Sequence, residues 1–116
     1  MKVFDIVSAV VLEEKYNNND LLFNEDSFSV LKQYCDILDI LVADGYGNQI
    51  KAEVVSEKKY IKISIDVMDV TYETKFKPRS YIEIMKRAMA IRFASVGEDT
   101  VRCEFLFPSL WERPVK

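Results

Sequence analysis

The chain has 116 residues, 49% hydrophobic and 30% charged, with a formal charge of −3, two cysteines and no histidine. That length and apolar share suit one domain with its own core and leave no room for a second. The missing histidine removes Ser-His-Asp and Cys-His catalysis, histidine metal sites and the usual proton shuttling near neutral pH.

Residues 1–15, MKVFDIVSAVVLEEK, are apolar but carry Asp5 inside and end in Glu13, Glu14 and Lys15. They make neither a signal-peptide core nor a membrane span, so a soluble, cytoplasmic chain without membrane contact is expected. Apolar on both sides, residues 3–12 read as a central strand. YNNND at 16–20 is a turn, because Asn tolerates left-handed backbone and bonds its own main chain.

SFSVLKQYCDILDILVA, at 27–43, puts Phe28, Leu31, Cys35, Leu38 and Val42 on one stripe at spacings of three and four, which predicts a helix. Glu25 and Asp26 suit its start, and Gly45 in DGYGN suits its stop. Residues 49–55 alternate Ile50, Ala52 and Val54 with Lys51 and Glu53, and 59–72 read as a long strand. Along that strand Ile61, Ile63, Ile65 and Val67 share one side, whereas Met68, Val70 and Tyr72 take the other phase. A β-bulge at Val67 and Met68, or a strand end leaving the sheet, would explain the change. With a bulge, Asp66, Asp69 and Glu73 all point to solvent, so they are the polar side of a strand and not an acidic active site.

SYIEIMKRAMAIRFASV, at 80–96, predicts a second helix, with Ser80 and Glu83 as a capping box, Pro78 upstream and a stripe of Ile82, Met85, Met89, Phe93 and Val96. The competing reading makes MAIRF a strand hairpinned with VRCEF. A last strand over 101–107 points Val101, Cys103, Phe105 and Phe107 one way. The succession β-α-β-β-α-β is the ferredoxin-like split βαβ pattern, a four-stranded antiparallel sheet with two helices on one face. The expected organisation is a single α+β domain over 1–107 and a C-terminal tail, 108–116. Both cysteines fall on apolar sides and are expected as buried free thiols.

No P-loop, dinucleotide fingerprint or paired-cysteine motif occurs, no family pattern is recognisable, and neither a cofactor nor a metal is expected. The function expected is therefore that of a non-catalytic protein-interaction or regulatory module, a homodimer or a binder of another protein. Its surface is expected to be the open sheet face, with Val3, Val7, Val11 and Leu106, joined by Leu110 and Trp111 of the tail. The tail folding back over its own domain is the simpler alternative for Trp111.

Charge suggests a second function. Residues 1–58 hold five basic and eleven acidic side chains, and residues 59–116 hold eleven and eight. Lys77, Arg79 and Ser80 at the start of the second helix form a candidate anion site of a small-molecule binding protein or enzyme, flanked by a basic patch of Lys75, Lys86, Arg87 and Arg92. A clasp of Lys77 and Arg79 with Asp39 and Asp44 is the structural counterpart. Nucleic acid is not favoured, because the open face has carboxylates and aliphatics where stacking aromatics would be needed.

Overall fold

A computed structural model of the chain describes residues 2–17, 22–42, 49–55, 60–68, 86 and 88–112. The first segment is a helix, α1, Val3–Asn17. Its Val3, Val7 and Val11 are all fully buried and form one stripe toward the core. The strand expected over residues 3–12 is thus corrected. A spacing of four places side chains on one side of a strand and also on one face of a helix, so the valines fit both periods. The ends favour the helix: Asp5 lies in the first turn and Lys15 in the last, each matching the helix dipole. Asp39 Oδ1 accepts the Val3 backbone N–H at 2.8 Å, satisfying a donor that a helix start leaves over.

The two-residue strand β1, Leu22–Phe23, leads into α2, Glu25–Leu38, which forms where periodicity predicts it. Asn24 caps it, its side-chain oxygen accepting the Ser27 N–H at 2.9 Å. Leu31, Tyr34, Cys35 and Leu38 are buried along one side, and a 3-10 turn, Asp39–Leu41, follows. Lys15 pairs with Glu25 at 2.9 Å while Asp39 holds Val3, so the two helices run antiparallel.

Among the described residues four strands make the main sheet: β2, Gln49–Val55; β3, Tyr60–Met68; β4, Ala90–Ser95; and β5, Thr100–Pro108. Their order is β2-β3-β5-β4, every neighbouring pair antiparallel. The α+β class and the antiparallel sheet are as expected, and of the two described helices α2 lies where one was predicted. The ferredoxin-like order of elements is not the one described, because α1 stands where the first strand was expected and β4 lies inside the expected second helix. The hairpin reading of 88–107 is the one observed, with Ile91 opposite Phe105 and Phe93 opposite Cys103.

Ile61, Ile63, Ile65 and Val67 of β3 lie beside Phe107, Phe105, Cys103 and Val101 of β5, and this inner face carries the helices. Tyr34 of α2 meets Phe107 with ring centroids 5.4 Å apart. The register of β3 against β5 stays regular through Met68 opposite Thr100. No bulge interrupts it at Val67 and Met68; the described strand simply ends there, and Asp69 and Glu73 lie outside the described residues.

The tail is part of the core. Leu110 is 2% exposed and Trp111 7%, and β6, Trp111–Glu112, pairs antiparallel with β1. Asn24 N–H donates to Leu110 O at 2.7 Å, and Asn24 Nδ2 donates to Glu112 Oε1 at 3.2 Å. Phe4, Phe28, Phe23 and Trp111 form a chain of ring contacts with centroids 5.4 to 5.7 Å apart, which ties α1, α2, β1 and β6 together. A domain boundary at residue 107 therefore cuts through packed structure.

Candidate functional site

The outer face of the sheet is built from charges that satisfy one another. Register sets Glu53 opposite Lys62, Asp66 opposite Arg102 and Arg92 opposite Glu104. Lys62 Nζ lies 3.3 Å from Glu53 Oε1 and 3.2 Å from Glu104 Oε2, while Arg92 Nε stands 3.9 Å from Glu104 Oε1. Arg102 grips Asp66 with two bonds, Nε to Oδ1 at 2.8 Å and Nη2 to Oδ2 at 3.1 Å. Hydrogen bonds to Glu104 and then Glu53 push the Lys62 ammonium pKa up, and the Asp66 hydrogen bond does the same for Arg102. Both partners thus hold the charged form.

This placement corrects the expected interaction surface. Val3, Val7 and Val11 sit beneath the inner face, in the domain's own core, with Leu110 and Trp111. The reason is that an apolar stripe on a helix and a tryptophan beside Phe23 find burial within the same chain. Leu106 does lie on the outer face, half-buried, between Lys62 and Ala90 in the register.

The basic patch is rearranged as well. Arg92 projects from the outer side of β4, its side chain 79% exposed, and Lys86 is an exposed turn residue. Lys75, Lys77, Arg79, Ser80 and Arg87 lie outside the described residues, so the anion site does too. Asp39, expected in a clasp, is engaged at the start of α1.

The thiols are chemically quiet. Burial, followed by the charges of Asp39 and Asp36, pushes Cys35 from 9.0 up to about 12. Burial and then Asp66 do the same to Cys103. Both are free, and neither offers a thiolate at neutral pH. Among the described residues no group of three or more Cys, Asp or Glu could hold a metal, and no helix is long and apolar enough to cross a membrane.

Among the described residues two surfaces stand out. A groove of about 260 Å³ lies between the first half of α2 and the end of β5, walled by Val30, Leu31, Tyr34, Phe107, Pro108 and Leu110, with Asp26, Ser27 and Ser109 as its polar members. The other surface is the edge of β4. Among the described residues β4 pairs with β5 and with no other strand. Met89 before it is 54% exposed and Val96 after it 41%, and its one charge is Arg92. At the opposite edge β2 lies against α1. Sequence reading missed the β4 edge because it had placed these residues on a helix; the alternation of Ile91 and Phe93 with Ala90, Arg92 and Ala94 was the available signal.

Together these features define an α+β domain whose helices cover one sheet face and whose ion pairs finish the other. Against family models, curated proteins and solved structures, the chain finds no match.

Proposed function

We propose that the chain is a non-catalytic interaction module that self-associates as a homodimer. The observation that supports this is β4, a strand with exposed Met89 and Val96 at its ends, small Ala90 and Ala94 on its outer side and a single charge, which among the described residues pairs with β5 alone. Sheet edges are templates for another strand, and proteins that stay apart blunt them with charge, proline or a cover. The outer face is the weaker candidate, since docking there would break ion pairs that are already satisfied. Two buried thiols suit a reducing compartment such as the cytoplasm. Light scattering tests the reading: a dimer gives twice the 13.5 kDa chain mass, and a mass of one chain at every concentration contradicts it.

A further inference from the structure

Independently of self-association, we propose that the groove between α2 and the end of β5 binds a small amphipathic cation: an aromatic ring joined by a short arm to an ammonium group. The helix period builds one wall. Asp26, Val30 and Tyr34 recur at intervals of four, so they stand on one side of α2 with Leu31 beside them, and the other wall is Phe107 and Leu110. The walls are tied together. Asn24, whose side chain caps α2 by accepting the Ser27 N–H, donates its own backbone N–H to Leu110 O at 2.7 Å. A groove held in this way is formed before a ligand arrives, which spares the cost of ordering it.

Depth and charge set the ligand. The floor is apolar: Leu31, Tyr34, Phe107 and Leu110 are each at most 3% exposed, and the Tyr34 and Phe107 rings lie with centroids 5.4 Å apart. A ring laid there meets aromatic and aliphatic surface. The volume, about 260 Å³, exceeds the roughly 150 Å³ that admits benzene and falls just short of the range for drug-sized ligands, so one ring with a short arm fits. The rim carries the charge. Among the described residues Asp26 is the one charged side chain lining the groove, and it is exposed. Its neighbour Glu25 is paired with Lys15, whereas Asp26 has no cation among the described residues. An ammonium at the end of the arm supplies one; a carboxylate would be repelled there.

The test is an NMR titration of the full chain, isotope-labelled, with three compounds of one size: phenethylamine, phenethyl alcohol and phenylpropionate. Phenethylamine is expected to shift the amides of Ser27, Val30, Leu31 and Leu110 in a saturable way. It should bind about two- to fivefold more tightly than the alcohol, the range an exposed ion pair supplies, with phenylpropionate the weakest. Asp26→Asn, a change at an exposed side chain that should leave the thermal transition in place, is expected to bring the amine to the alcohol's Kd and to leave the alcohol's Kd as it was. Val30→Trp, at the rim, should weaken all three. An amine that binds no better than the alcohol, or whose advantage survives Asp26→Asn, overturns the cation assignment. Shifts centred elsewhere, binding untouched by Val30→Trp, or no saturable shift by about 10 mM overturns the site itself.

Discussion

The two faces of the sheet are made from the same strands and do different work. On the inner face Ile61, Ile63, Ile65, Cys103 and Phe105 are at most 1% exposed, and burial of apolar area supplies the stability. One residue along, on the outer face, Lys62, Asp66, Arg102 and Glu104 are partly exposed and held by reciprocal charge. The contrast teaches that an uncovered sheet face is not in itself a docking surface. A face whose charges are matched by register is already complete in water.

The largest effect should come from the inner face. Phe105→Ala, at the centre of the core, is expected to cost about 3 to 5 kcal/mol in urea unfolding; a loss below about 1 kcal/mol would mean that the helices do not pack there. Alkaline pH probes the same face. The folded-state thiol pKa values of Cys35 and Cys103, about 12, lie above the ordinary 9.0. Their protonation therefore favours the fold fully below pH 9, and that contribution is lost as pH rises from 9 toward 12. The unfolding midpoint should fall over that window, and less so in a Cys35→Ser, Cys103→Ala chain compared with its own neutral-pH value. The smallest effect belongs to the outer face. Lys62→Ala should cost about 0.5 kcal/mol, shrinking in high salt, because the pairs it makes are partly solvated.

How much of this was legible depended on how each segment's period could be read. α2 and strands β2, β3 and β5 carry a single period each, three to four for the helix and two for the strands, so their inward residues could be named from sequence. α1 could not be resolved that way. Val3, Val7 and Val11 satisfy both periods, and its valines and isoleucine favour strands by propensity. What decides is tertiary, the reach of Asp39 to the Val3 N–H. β4 failed in the opposite direction: RAMAIRFA has good helix formers and a helical stripe, yet Ala90–Ser95 also alternates, and its pairing with β5 prevails.

The candidate site was less legible than the fold. The residues chosen for an interface were apolar, and the core claimed most of them: Val3, Val7 and Val11 under the sheet, Leu110 and Trp111 through β6 and the Phe23 ring. Apolarity marks a residue that needs burial and carries no label for which chain provides it. The matched charges of the outer face depended on register, which brings together residues as distant in sequence as Lys62 with Glu104 and Asp66 with Arg102.

The central claim is that Trp111 is buried by its own chain and not by a partner. It is the single tryptophan of the sequence, and its Nε1 is buried without a hydrogen-bond partner among the described residues, so its emission reports directly on that burial. The measurement is the fluorescence emission maximum along a dilution series in which light scattering follows the mass. The account predicts a blue-shifted maximum that stays fixed throughout. A maximum that moves to the red as the mass falls would place Trp111 between copies and contradict the account.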